Sequence, residues 1–249
     1  MKKIIKTPLI ILGIGILIMA ASTAGATRAA MVYQSKAERI NFSTAALSID
    51  ILEEVDGGYK SLDDGQELSF GNIVTEEGFK VGKKYPENVI VTNNSNPDTG
   101  YSEYVRVVVR KSWFLDGKNT ELDPDLIKIY VAEGWYENKA EATSEQAVYY
   151  RITPLACGQS ADFITGIQID NEITTYVESK PSTDGGVEIS GTIENQYLYN
   201  GHSVYIQLQA DAVQTHNSED AIYAAWGIKA SCDGIDDGNI TAIGGQATR

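Results

Sequence analysis

The sequence predicts an all-β protein, a jelly-roll-like antiparallel β-sandwich with one or two short helices. Apolar and polar residues alternate with a period of two in many short segments along the chain, which is the pattern of half-buried strands. Clusters rich in Gly, Asp and Asn separate these segments and predict turns between them. Many short strands punctuated in this way are typical of two packed antiparallel sheets.

The first 30 residues indicate an export signal. Three lysines precede an apolar run from Leu9 to Ala21, and small residues that a signal peptidase accepts end at Ala26 and at Ala30. The run is shorter than the about 20 apolar residues of a membrane span. We therefore expect a signal peptide over residues 1–30, a secreted protein, and signal peptidase as a partner during export. A retained N-terminal anchor is the alternative.

The charge of the chain limits its partners. It carries 34 acidic and 20 basic residues, a net charge of −14, and the charge becomes −18 without residues 1–30. This balance argues against nucleic acid as a partner. It also opposes self-association through repulsion that salt screens, so any assembly should depend on ionic conditions.

The region after the signal predicts one sandwich domain over residues 31–230. Its clearest strands lie at Tyr104–Arg110, where Val105, Val107 and Val109 share one face, and at Ser203–Val213. The further predicted strands are Ala46–Glu53, Asn88–Thr92, Leu126–Val131, Ala147–Ile152, Ala161–Ile169 and Val187–Glu194.

Two short helices and a tail complete the prediction. Ser218 is a suitable N-cap and Gly227 a suitable stop for one helix, and Thr143–Ala147 suggests a weaker helical turn. From Ser231 onward the periodicity is lost and small residues dominate. Residues 231–249 are therefore expected to form a flexible C-terminal tail.

The residues that could carry chemistry are few and scattered. The histidines, His202 and His216, lie in no metalloprotease motif, and the segment Asp233–Asn239 lacks the spacing of a calcium loop. Cys157 and Cys232 are 75 residues apart, so a disulfide and two free thiols both stay open. We assign no catalytic, cofactor-binding or metal-ligating residue and expect no enzyme activity.

Four blocks of the sequence, in order, resemble one known family. They are Met31–Glu54 after the signal, Asn88–Asn94 leading to Tyr104–Val107, Tyr149–Ser160 with Cys157 where the family usually has Pro, and Gln207–Gly227. Together with the signal peptide, they resemble the TasA and camelysin family, and the resemblance touches most of the mature chain.

The resemblance implies a jelly-roll-like protein secreted by Gram-positive bacteria that forms fibres of the biofilm matrix or decorates the cell surface. It implies self-association and an accessory matrix protein as partners. Camelysin-type members are classed as metallopeptidases, but no ligand set carries over to this chain, and no cofactor is expected.

Three functions follow as hypotheses. The first is a structural subunit that assembles by strand addition, with Met31–Ser43 as the donor segment; the alternative for this segment is a flexible leader. The second is a secreted module that binds a glycan or a host protein through loops near Trp113, Trp135 and Tyr136. The third is a camelysin-type metallopeptidase.

The cleavage position can be tested directly. We expect the secreted form to begin at Thr27 or Met31, because these residues follow the small-residue sites at Ala26 and Ala30. N-terminal sequencing of secreted material checks this. A secreted protein that still begins at Met1 would contradict the prediction of export with cleavage.

Overall fold

The structure, a computed structural model, describes residues 32–34, 47–62, 67–70, 80–98, 100–184 and 187–248, with the backbone alone given at 32–34 and 180–196. The predicted signal peptide and residues 35–43 of the predicted donor segment lie outside these ranges. No helix within them is long and apolar enough to cross a membrane.

The described residues form strands along most of their length. In chain order these are β1 (Val32–Gln34), β2 (Ile49–Val55), β3 (Gly58–Leu62), β4 (Lys84–Tyr85), β5 (Val89–Asn93), β6 (Glu103–Phe114), β7 (Lys118–Asn119), β8 (Ile127–Val131) and β9 (Trp135–Glu137). The later strands are β10 (Gln146–Arg151), β11 (Ser160–Ile169), β12 (Val177–Asp184), β13 (Val187–Tyr197), β14 (Ser203–Gln214), β15 (Ala230–Cys232), β16 (Ile240–Ile243) and β17 (Gln246–Ala247).

Two antiparallel sheets make up the body of the protein. Sheet A has the order β1-β14-β6-β10-β9, with β7 paired to β6, and sheet B has the order β3-β2-β5-β11-β4, with β8 paired to β11. The chain crosses between the sheets from β1 to β2, from β5 to β6, from β7 to β8, from β8 to β9 and from β10 to β11, and it returns from β11 to β14 after the hairpin β12–β13. The prediction of a jelly-roll-like antiparallel sandwich is confirmed. The hairpin β12–β13 forms a separate two-stranded sheet.

The main core lies between sheets A and B. As the alternation predicted, Val105, Val107 and Val109 of β6 all point into it and are almost fully buried. Ile206 and Leu208 of β14 lie beside them. Burial of each such side chain stabilises the fold by about 1.5–3 kcal/mol.

A second core covers the opposite face of sheet A, so that β6 is buried on both faces rather than half-buried as the alternation suggested. Tyr104 and Tyr150 of sheet A are fully buried there. The other buried members are Val108, Val148, Val213, Ala221, Ile222, Trp226, Ala230, Ile240 and Ile243. The residues from Ala221 onward come from the helix and the C-terminal segment that follow β14.

The helix of this second core, α1 (Ser218–Trp226), confirms one predicted helix with a shifted start. It ends at Gly227, whose φ of 71° is the left-handed conformation expected of a stop. Asn217, with φ of 55°, occupies the cap position in place of Ser218. The Ser218 hydroxyl is buried instead and lies 2.9 Å from the carbonyl oxygen of Thr215.

The second predicted helical turn, at Thr143–Ala147, is wrong. Thr143 and Gln146 form reciprocal backbone hydrogen bonds of 2.8 and 3.4 Å across a tight turn, and β10 begins at Gln146. The Thr143 hydroxyl accepts a further bond from the Gln146 N–H at 3.0 Å. Two short 3₁₀ turns lie elsewhere, at Pro124–Leu126 and Asn171–Thr175.

The structure also corrects the expectation of a flexible tail over residues 231–249. β15, β16 and β17 form a three-stranded antiparallel sheet, and Ile240 and Ile243 are each only 1% exposed. The strands are too short to show periodicity in the sequence. The Gly- and Asp-rich stretch between them is a closed loop, in which the Asn239 N–H donates to Asp233 Oδ1 at 2.6 Å.

A pair of isoleucine variants tests this correction. Ile240→Ala should lower the free energy of unfolding by about 2–5 kcal/mol, because it opens a cavity in the second core. Ile235→Ala, in the adjoining loop, removes a side chain that is 76% exposed and should change it by less than about 0.5 kcal/mol. Urea unfolding measures both. Equal, negligible effects would contradict an ordered C-terminal sheet.

Candidate assembly edge

The outer edge of β14 is the candidate functional site, because two segments of the described chain, one from each side of β2 and β3, pair with it there. On its inner side, β14 pairs with β6 from Ser203 to Gln214. On its outer side, the described residues of β1 pair with Asp211–Val213. Nearer the start of β14, the Leu68 N–H donates to the Ile206 carbonyl oxygen at 3.0 Å.

The part of β14 beneath β1 is buried. Asp211, Ala212 and Val213 are each 0% exposed, so their backbone groups lie where an unpaired N–H or C=O is costly. An uncovered edge of this kind is a template for another strand. A segment with the backbone pairing of β1 satisfies this edge and shields it from water.

A buried ion pair fixes the register of β14 against β6. Asp211 and Arg106 are direct cross-strand partners, and Arg106 Nε donates to Asp211 Oδ2 at 3.0 Å. The guanidinium also lies 5.4 Å from the ring centre of Trp226 in α1, which gives a cation–π contact. A one-residue slip of β14 would move the Asp211 carboxylate into the apolar main core.

The start of β2 is held separately from β1. The Ser48 N–H donates to Ser95 Oγ at 3.0 Å and to Glu103 Oε1 at 2.9 Å, and the Ser95 hydroxyl donates to the same Glu103 oxygen at 2.6 Å. Burial raises the pKa of Glu103 to about 7, although the bonds from Ser95 and Ser48 oppose this shift. These contacts anchor the first core strand to β6 without any contribution from β1.

The chain between β1 and β2 is long enough to let β1 pair elsewhere. Residues 35–46 separate β1 from Leu47, and 12 residues can span at most about 40 Å when extended. Chain connectivity therefore does not confine Val32–Gln34 to the β14 edge of its own subunit.

The aromatic residues of the predicted loop surface have structural contacts. Trp113 is buried, and its Nε1–H donates to the Asp123 carbonyl oxygen at 2.8 Å. Trp135 Nε1–H donates to the Asp162 carbonyl oxygen at 2.7 Å. The Tyr136 hydroxyl donates to Gln246 Oε1 of β17 at 3.2 Å. These side chains tie strands and loops together.

The two histidines have separate hydrogen-bonding partners. His202 Nε2 is 3.1 Å from Asn119 Nδ2, and the largely exposed His216 places Nδ1 2.9 Å from Asp236 Oδ1. Within the described ranges no three His, Cys, Asp or Glu side chains are grouped so that they could hold a metal ion.

The cysteines are free thiols, so the structure adopts the second of the two alternatives left open by their spacing. Cys157 Sγ lies 3.4 Å from the Tyr101 carbonyl oxygen. Cys232 lies in β15, where burial raises the pKa of its thiol. This raised pKa of Cys232 is opposite to the lowered pKa of a reactive cysteine.

The carboxylates of the acidic loop Asp233–Asn239 accept hydrogen bonds from the loop itself and from residues next to α1. These bonds come from the Asn239 N–H to Asp233, from the Asn217 N–H to Asp236 at 2.8 Å, and from the Thr215 hydroxyl to Asp237 at 2.6 Å. The loop thereby attaches the C-terminal sheet to the residues before α1.

Sequence reasoning missed Glu103 and the Arg106–Asp211 pair as determinants of this edge. The sequence did indicate the pair, because its two residues fall on the outward faces of the two clearest predicted strands and carry opposite charges. No local sequence pattern indicated the role of Glu103, because its partner Ser48 is distant in sequence.

Comparisons with protein-family models, with curated proteins and with solved structures find no match to this chain. The resemblance to TasA and camelysin proteins therefore stays a prediction.

The anchor at Glu103 predicts a pH dependence of stability. Because its folded pKa is raised to about 7 from 4.5, the folded state holds a proton that the unfolded state releases. The free energy of unfolding should therefore fall by about 3 kcal/mol between pH 4.5 and 7 through this group. Glu103→Gln should flatten this dependence, whereas Glu145→Gln at an exposed ion pair should leave it unchanged. Urea unfolding at several pH values measures the slopes, and identical slopes for Glu103→Gln and the wild type would contradict the prediction.

Proposed function

We propose that this chain is a secreted structural protein of the biofilm matrix or cell surface that assembles into fibres by strand addition. The observation that carries the proposal is the three-residue β1, which covers a fully buried stretch of the β14 edge from the end of a long connection. The export signal and the resemblance to TasA and camelysin proteins support the secreted location.

Assembly would proceed by exchange of β1 between subunits. The β1 segment of one subunit leaves its own β14 and pairs in the same register with β14 of the next. The backbone hydrogen bonds are the same before and after the exchange. The equilibrium between the two arrangements is therefore set by charge repulsion between subunits and by the conformational entropy of the segment that joins β1 to β2. Each subunit offers one donor and one acceptor, and such head-to-tail contacts produce open filaments.

The charge of the mature chain sets the conditions for this exchange. A net charge of −18 without residues 1–30 opposes close approach of two subunits, and salt at 0.15 M reduces the range of that repulsion to about 8 Å. Added salt should therefore speed assembly of the intact protein.

A deletion tests the donor segment. Removal of Met31–Asn41 should leave the sandwich folded, because β2 is anchored through Ser48, Ser95 and Glu103. It should abolish fibres, because no donor remains for the β14 edge. Light scattering and electron microscopy measure assembly, and circular dichroism controls for folding. Fibres of normal length from the deleted protein would rule out this donor mechanism.

Two further experiments test the role of the donor segment. In the full chain, Ile40→Asp or Phe42→Asp should weaken assembly by placing a charge in the acceptor groove. A peptide of residues 31–43, added to the deleted protein, should protect the backbone N–H of Ala212, which faces the outer edge, from hydrogen exchange without restoring fibres. The same peptide with both Asp substitutions is the matched control. Equal protection by both peptides would contradict specific pairing.

A further inference from the structure

The second cover of the β14 edge is held by a buried carboxylate. We call residues 67–70 the edge clip. Its Leu68 N–H bonds to β14, while the N–H groups of Ser69 and Phe70 each donate to Glu53 Oε1 at 2.9 Å, and the Ser69 hydroxyl donates to Glu53 Oε2 at 3.0 Å. Glu53 belongs to β2, so the edge clip connects sheet B to the edge of sheet A.

Glu53 lies near a second buried acid. Glu87 is 1% exposed and Glu53 is 0% exposed. The register of β2 and β5 places Val89 opposite Glu53, with Glu87 two residues before Val89, and the Glu53 side chain contributes to the raised pKa of Glu87. Within the described residues neither Glu87 oxygen receives a hydrogen bond from a donor group. Two neighbouring ionised carboxylates, removed from water, would be strongly unfavourable. A single proton between them removes the repulsion and gives Glu87 a bond.

The other charged groups near this pair do not neutralise it. Glu54, the next residue of β2, carries a further negative charge that also raises the pKa of Glu87, and it accepts a bond from the Asn88 side chain. Lys60 of β3 is opposite Glu53 in the register but is exposed. The described residues offer neither Glu53 nor Glu87 a salt bridge to a cation.

We propose that the Glu87 carboxyl group keeps its proton and donates it in a hydrogen bond to the Glu53 carboxylate, and that this acid pair is a pH-sensitive lock on the edge clip. Loss of the proton to solvent places two negative charges together beneath the clip. The clip is therefore held most firmly in acid and progressively more weakly as the pH rises. This inference is independent of whether the protein assembles.

The direction of the pH dependence follows from the proton count. Burial, followed by the Glu53 charge, raises the pKa of Glu87 to about 8 from its ordinary value of 4.5. The closed clip thus holds a proton that the open clip, with Glu87 in water, releases. The equilibrium constant for opening should rise about tenfold per pH unit between about 4.5 and 8 and level off above.

Hydrogen exchange of the full chain tests the lock. Between pH 5 and 8, after correction for base-catalysed exchange, protection of the Ser69 and Phe70 N–H groups should fall about tenfold per pH unit. Glu87→Gln should make this protection independent of pH, because its side-chain N–H donates to Glu53 and cannot be lost. Glu54→Gln is the matched control and should keep the dependence. The N–H of Val107 in β6 reports global unfolding.

A direct titration of the wild type provides an outcome that does not depend on any variant. The carboxyl carbon of Glu87, followed by NMR, should titrate with a midpoint near 8 rather than near its ordinary 4.5. A midpoint near 4.5, or equal pH dependence in the wild type and Glu87→Gln, would overturn the proposal.

Discussion

The need to cover the outer edge of β14 is the constraint on which the rest of the structure depends. β14 is buried between the main core and the second core, and its residues Asp211–Val213 have no access to water. The Ile206 carbonyl group faces this edge, and because backbone groups alternate along a strand the N–H and C=O of Ala212 face it as well, where β1 pairs with them. β1 meets this need at one end of the strand, and the edge clip meets it near Ile206. Both covers come from the chain before β4.

Buried acidic side chains form the hydrogen bonds that hold together the segments meeting around this edge. Asp211 joins β14 to β6 through Arg106, Glu103 holds the start of β2, and Glu53 holds the edge clip. In each case a carboxylate accepts bonds from groups that would otherwise be unpaired in the interior, which offsets the cost of burying the charge. These hydrogen bonds fix where the segments of the chain meet in the sandwich. As a consequence, the free energy of unfolding depends on the protonation of Glu103 and Glu87.

The sequence predicted the strands of the sandwich well where alternation was long, as in β6 and β14, and it placed the end of α1 at Gly227 correctly. It failed at the C-terminus because strands of two to four residues, such as β15, β16 and β17, cannot show a period. It also could not foresee that this sheet and α1 would bury the outward face of β6. The candidate edge depends on pairings between residues far apart in sequence, such as Glu53 with Ser69 and Ser48 with Glu103, and local patterns carry no information about them.

The two covers of β14 differ in how they are attached, and this difference separates their roles. The edge clip is bound at both ends, to β14 through Leu68 and to β2 through Glu53, so its release requires a buried acid pair to change. β1 is joined to the sandwich by a connection that starts beyond Gln34 and reaches its anchor at Ser48, and its described contacts are backbone pairings that any subunit can offer equally. A segment whose alternative site has the same bonds exchanges at little cost in free energy. In the assembly we propose, one cover of this edge is therefore controlled by protonation and the other by the concentration of subunits.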